Sequence, residues 1–148
     1  MHFEFCICLM CRFLIVRSKT KLDTKALLSE FAEMCRKSKE WQGDGWGVVW
    51  LDNKNQWRRR NSLAPIWKSR YPLKDIGQAK TFVVHARSAS FKEERGSISL
   101  NQPFIKKNLV FVFNGFLHGV RLSVRGRTGA EKLFHLTRKK LQSLSLTR

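Results

Sequence analysis

The sequence predicts an α+β domain whose strands are mostly antiparallel. Three observations carry that expectation. Residues 11–16, 81–85 and 109–113 are short apolar runs rich in β-branched and aromatic side chains, which suit strands. Helical apolar periodicity appears in two places, near 24–40 and 129–141. The order is strand, helix, a run of strands, then a helix.

Each element has a local reason. Cys11-Arg12-Phe13-Leu14-Ile15-Val16 is apolar on both faces and reads as a strand, followed by a polar stretch at 17–24. Thr24 is an expected N-cap for a helix whose stripe is Ala26, Leu27, Leu28, Phe31, Ala32 and Met34, ending between Ser38 and Glu40. Trp41-Gln42-Gly43-Asp44-Gly45-Trp46-Gly47 reads as a loop, because its three glycines free the backbone. Residues 48–51 and 56–60 read as a hairpin around the turn formers Asp52-Asn53-Lys54-Asn55. A less regular region lies between Pro65 and Pro72, and 74–77 is a short helix or turn. Thr81-Phe82-Val83-Val84-His85 is a strong buried strand, followed by a polar loop at 92–99. Asn101-Gln102-Pro103-Phe104 is turn-like, residues 109–113 form another buried strand, and Thr128 caps the last helix.

At 148 residues the chain is long enough for one domain with a real core and too short for two ordinary ones. Lys and Arg number 29 against 11 Asp and Glu, a formal charge of +18 that favours anionic partners without deciding the fold. Cys6, Cys8, Cys11 and Cys35 crowd the first quarter, unlike a secreted disulfide framework, so reduced thiols and a cytoplasmic protein are expected. Cys6-x-Cys8-x-x-Cys11 lacks a second pair of ligands, so no metal site is expected. Residues 3–16 include Glu4 and Arg12 and are too short to span a membrane, and they lack a signal-peptide pattern.

Two strong strands end in groups that carry chemistry. One runs into His85-Ala86-Arg87, the other into Asn114-Gly115. A guanidinium matches a carboxylate with two parallel hydrogen bonds. The Asn114 side-chain amide and the Gly115 backbone N–H are two donors that can form an oxyanion hole. Cys11 follows Met10, so translation from Met10 with loss of that methionine, or removal of residues 1–10, would leave one residue carrying both a thiol and a free α-amine, a nucleophile with its own base. Taken singly, Asn-Gly is a common turn, Arg87 a surface ion-pair partner, His85 a structural hydrogen-bonding group and Cys11 a core cysteine.

Met10-Cys11-Arg12-Phe13-Leu14, Asp44-Gly45-Trp46-Gly47-Val48, His85-Ala86-Arg87-Ser88-Ala89-Ser90, Asn101-Gln102-Pro103-Phe104, Phe113-Asn114-Gly115 and Thr128-Gly129-Ala130-Glu131 occur in that order. Together they resemble the class II glutamine amidotransferase domain, an N-terminal nucleophile (Ntn) hydrolase family, in the branch that begins Met-Cys-Arg. The resemblance spans about residues 10–134. It implies a four-layer αββα sandwich, incomplete here at the C-terminus, with residues 1–10 as an extension or propeptide and 11–148 as a partial amidotransferase-like domain. It also implies hydrolysis of the glutamine side-chain amide to glutamate and ammonia. Cys11 is then the nucleophile, Arg87 holds the substrate carboxylate, Ser90 stands at a family threonine near the substrate, and Asn114 and Gly115 form the oxyanion hole. Asp44 to Gly47 stand at a glycine loop near the active site. No cofactor is implied, and the ammonia acceptor is a synthase or ligase partner. Two departures matter. Gly129 stands where the family carries the aspartate that binds the glutamine α-amino group, and the chain is short for the family.

Two other readings remain beside this one. The first is an amidotransferase-like fold without activity, serving as a binding module. The second is a nucleic-acid-binding protein using Trp57-Arg58-Arg59-Arg60, Lys106-Lys107, Arg121, Arg125, Arg127 and Arg138-Lys139-Lys140. A dispersed basic surface explains those residues more simply, so no nucleic acid and no membrane are expected as partners.

Overall fold

The computed structural model describes residues 10–69, 76–116 and 119–145. Cys6, Cys8, Tyr71, Pro72 and the first part of the 74–77 element lie outside them. The elements are β1 (Arg12–Asp23), α1 (Thr24–Lys37), β2 (Trp46–Leu51), β3 (Trp57–Ser62), β4 (Gln78–Ala86), β5 (Phe104–Lys106), β6 (Leu109–Phe111) and α2 (Gly129–Ser145). The class is α+β, and every strand pairing among the described residues is antiparallel. No helix among the described residues is long and apolar enough to cross a membrane.

A four-stranded sheet in the order β1-β4-β2-β3 forms the centre, and β5 and β6 form a separate two-stranded sheet. Register sorts the side chains of the large sheet. Leu14 pairs with Val84, Val16 with Phe82, and Val48 with Val84. These residues, with Trp46, Trp50 and Ala86, pack against Leu28, Phe31, Ala32 and Cys35 of α1. The helix positions recur at the three- and four-residue spacing that makes one face. Leu28 is fully buried, so Leu28→Ala at the centre of this contact costs about 2–5 kcal/mol.

The opposite face carries Gly47, Val49, Val83 and His85, and a second layer lies against it. A Cβ added at Gly47 would stand 2.3 Å from the carbonyl oxygen of Gln102, so only glycine admits that backbone. Beyond it, Phe104 and Phe111 stack on Phe134 of α2 with ring centroids 5.5 and 5.9 Å apart. The order through the molecule is therefore α1, the large sheet, the β5–β6 layer and α2. On the edge strand, Phe13 and Ile15 point to this second-layer side and remain 42% and 58% exposed.

Several elements differ from the sequence-based expectation: β5 is an unexpected strand that starts in the segment read as turn-like, β2 begins at Trp46 inside the segment read as a loop, and three further differences have a visible cause. β1 continues to Asp23 rather than ending near Val16, with an irregular register between Arg17 and Leu22. As an edge strand it can carry Arg17, Lys19 and Lys21 in solvent, and such charges discourage pairing with another chain. Asp23, not Thr24, caps α1: its carboxylate accepts from the Lys25 N–H at 2.9 Å. Thr24 is buried and its hydroxyl donates to the Gly77 carbonyl instead. The strand expected at 109–113 is half-buried and stops at Phe111, because the side-chain amide of Gln102 takes both backbone groups of Phe113, at 2.6 and 3.1 Å. At α2, Thr128 does cap the helix, accepting from the Glu131 N–H at 3.1 Å.

His85 is fully buried, and neither ring nitrogen has a hydrogen-bond partner among the described residues. Burial, with a smaller effect from Arg87, lowers its pKa to about 3. The unfolded chain takes up a proton below about pH 6.5 that the folded chain refuses until about pH 3, so this group destabilises the fold as pH falls through that window. The maximum slope is about 1.4 kcal/mol per pH unit. Urea melts between pH 7 and 4 should therefore show a shallower acid decline for His85→Leu than for the wild type; parallel declines would contradict the assignment. Gly47→Ala should lose on the order of 1–3 kcal/mol in the same assay, through its collision with Gln102.

Candidate active site

Antiparallel pairing brings three strand ends to one place. Arg12 of β1 and Trp46 of β2 both pair with Ala86 of β4. The residue before β1, the loop before β2 and the segment after β4 therefore emerge together. Those are Cys11, Asp44 with Gly45, and Arg87 with Ser88. The pairing continues past the strands: the Arg87 N–H donates to the Gly45 carbonyl at 2.8 Å, and the Asp44 N–H to the Arg87 carbonyl at 3.0 Å.

Cys11 is half-buried. Its Sγ accepts from the Ser88 N–H at 3.3 Å and lies 3.4 Å from the Ser88 carbonyl as a donor. Burial pushes the thiol pKa up, while the Ser88 N–H and the Arg87 charge pull it down less. The thiol is therefore protonated at neutral pH, and using it as a nucleophile requires a base.

Arg87 is buried at 5% exposure and well held. It donates to the carbonyls of Glu94 at 2.9 Å and Ser97 at 3.4 Å, and its guanidinium stands 3.6 Å from the Glu94 carboxylate. Asp44 ties the neighbouring loops together. It accepts from the Ala89 N–H at 2.8 Å and from Trp41 Nε1 at 3.1 Å, and it faces Arg95 at 3.5 Å.

Cys11, Arg87, Ser88, Ser90, Glu94, Gln102, Phe113, Gly115, Arg127, Thr128, Gly129 and Lys132 help to line one cavity of about 230 Å³. That is smaller than the roughly 300–1,000 Å³ that takes drug-sized ligands, and it suits a small molecule. Four of the five residues singled out from sequence thus share one cavity: Cys11, Arg87, Ser90 and Gly115. Asn114 is not among its lining residues, and its Oδ1 is buried without a hydrogen-bond partner among those described. Gly115 adopts φ +149°, a backbone that glycine accepts and side chains resist. Gln102, by bonding both backbone groups of Phe113, sets where Asn114 and Gly115 follow.

No family model matches this chain, and no curated protein matches it. The site's chemistry therefore rests on its own geometry.

Several lining residues escaped sequence reasoning. Ser88 acts through its backbone, which no side-chain pattern reveals. Lys132 sits in the first turn of α2 and blends into a basic sequence, and Arg127, just before that helix, stands out in the sequence only as part of the basic surface. Glu94 carried a usable signal, since acidic residues are scarce here, at 11 against 29 basic ones. His85, adjacent in sequence, does not line the cavity. Of the arginines at 58–60, Arg58 pairs with Asp52 and Arg59 donates to the Asn101 carbonyl, which accounts for two of them within the fold. Among the described residues no cluster of His, Cys, Asp and Glu could hold a metal ion.

The raised thiol pKa has a direct readout. Alkylation of Cys11 by iodoacetamide, followed by peptide mass spectrometry, should accelerate with pH around a midpoint above that of a free cysteine. Cys35, buried and pushed up to about 11, should stay unlabelled until the protein unfolds. A Cys11 midpoint at or below the free-cysteine value would overturn this account.

Proposed function

We propose that this chain is a glutaminase of the class II glutamine amidotransferase type, with Cys11 as an N-terminal nucleophile. One observation carries the reading: the Cys11 thiol shares a small cavity with the Arg87 guanidinium, Ser90 and Gly115. The sequence of layers, α1, sheet, sheet, α2, supports an αββα sandwich reduced in its second sheet.

In this reading the substrate carboxylate lies on Arg87, whose Nε takes no part in the contacts already described. The side-chain amide then points toward Cys11. The Cys11 Sγ attacks the amide carbon as its proton passes to the Cys11 α-amine. The negative charge on the former carbonyl oxygen is met by the Gly115 N–H; Asn114, which does not line the cavity, supplies no second donor in this arrangement. The C–N bond breaks, the α-ammonium returns the proton, and ammonia leaves. Water, deprotonated by the same amine, cleaves the thioester to glutamate and restores the thiol. An α-amine and a thiol have reference pKa values of about 7.7–8.0 and 8.5, so the first transfer is nearly balanced.

The base in this proposal is the α-amine, because Glu94, the one acidic side chain lining the cavity among the described residues, is already beside Arg87. With Met10 attached, the Cys11 nitrogen is a peptide amide and takes no proton. The active form in this proposal begins at Cys11. A cytoplasmic setting, where thiols stay reduced, and a synthase or ligase that accepts ammonia complete the proposal. A second reading, an inactive binding module, is favoured by one contact: buried Gln42 donates to the Met10 carbonyl at 3.3 Å, gripping the peptide that activation must remove.

The chain cut to begin at Cys11 should release glutamate and ammonia from glutamine, as measured by an enzyme-coupled glutamate assay. Cys11→Ala should lower the rate on the order of 10⁴-fold or more. Absence of release from that chain, or release that survives Cys11→Ala, would leave the binding-module reading in its place.

A further inference from the structure

We infer that Glu94 is the substrate-binding residue that receives the α-ammonium of the substrate. The inference rests on the glutaminase reading and names a partner that reading lacks. A glutamine molecule is a zwitterion at its α-carbon. Its carboxylate has Arg87, but its ammonium needs an anion or a cluster of acceptors, since a buried unpaired charge is costly. Among the described residues, the charged side chains lining the cavity are Arg87, Arg127, Lys132 and Glu94. Glu94 is the one anion among them. Asp44 is not a lining residue, and its oxygens already face Ala89, Trp41 and Arg95. Position 129, at the start of α2 on the cavity wall, is glycine and offers no carboxylate.

Geometry adds a second argument. The ammonium and carboxylate of an α-amino acid hang from one carbon, so their partners must stand only a few ångströms apart. The Glu94 carboxylate and the Arg87 guanidinium are 3.6 Å apart. Both ends of the pair are fixed, because Arg87 also holds the Glu94 backbone carbonyl at 2.9 Å. The pair presents opposite charges side by side, and a zwitterion can lie across it head to tail. Burial holds the Glu94 carboxyl above its usual range overall, and the Arg87 charge offsets part of that rise.

The test compares L-glutamine with glutaramic acid, which keeps the carboxylate and the amide but lacks the amino group. Binding of each to the full chain is measured by calorimetry, so no turnover is needed. The wild type should prefer glutamine by about tenfold or more, as expected for a charge-assisted hydrogen bond. Glu94→Gln should bring the two affinities within about threefold, and Glu94→Asp should give an intermediate ratio. A merely structural role would weaken both ligands alike and leave the ratio intact. A wild type without preference, or a folded Glu94→Gln that keeps it, overturns the inference. Should Glu94→Gln not fold, an unchanged ratio in Glu94→Asp overturns it. Preferential binding without glutamate release from the chain beginning at Cys11 supports Glu94 and defeats the reaction alone. Absence of binding by both ligands overturns both.

Discussion

The site depends on one row of the large sheet, where Arg12, Ala86 and Trp46 stand side by side on three adjacent strands. Side chains alternate faces along a strand, so this row decides what Cys11 and Arg87 can meet. A slip of one residue in β1 would move Cys11 to the face that α1 occupies and send Leu14 and Val16 out of the core. The apolar contact of Leu14, Val16, Phe82 and Val84 with α1 thus holds the register, and the register holds the cavity. Packing energy at one end of the sheet becomes positional accuracy at the other.

The second layer is joined to the first by close approach rather than by a broad core. Gly47 lets the Gln102 backbone rest on the sheet. Asn101, fully buried, donates to the carbonyls of Trp46 at 3.2 Å and Ser62 at 2.7 Å. Gln102 then reaches Phe113. This short relay of side-chain amides carries the position of the sheet to Gly115, which is why two polar residues are well buried there. Each buried amide makes up for strand hydrogen bonds that an irregular segment lacks.

Charge shapes the cavity differently from the surface. Most of the net positive charge lies in solvent, where it is screened. Inside the cavity a few charges meet at low dielectric, and Arg87 is kept charged there by two carbonyls and one carboxylate. The thiol of Cys11 stays protonated beside them, and the neutral His85 lies outside the cavity, so its ring is not placed to take the thiol's proton.

Much of the fold was legible in the residues. The strands at 48–51 and 81–85, the hairpin turn at Asp52 and the Thr128 cap each follow from local preference, and local preference survived packing there. The misreadings arose where tertiary contacts outbid local ones. Thr24 is an excellent cap by type, but its hydroxyl went to Gly77 and left the helix end to Asp23. Residues 112 and 113 are strand formers by type, yet Gln102 claimed the Phe113 backbone. By itself, the sequence determined the class of the fold, because apolar periodicity needs no partner to be read, and it marked Cys11, Arg87 and Asn114-Gly115, because their chemistry is carried by residue type, with Ser90 added by the resemblance alone. Only the tertiary structure decided that Cys11, Arg87, Ser90 and Gly115 line one cavity while Asn114 does not, and that Ser88 and Glu94 belong with them. Those facts depend on strand register and on backbone atoms that are the same in every residue, and a list of side chains does not encode them.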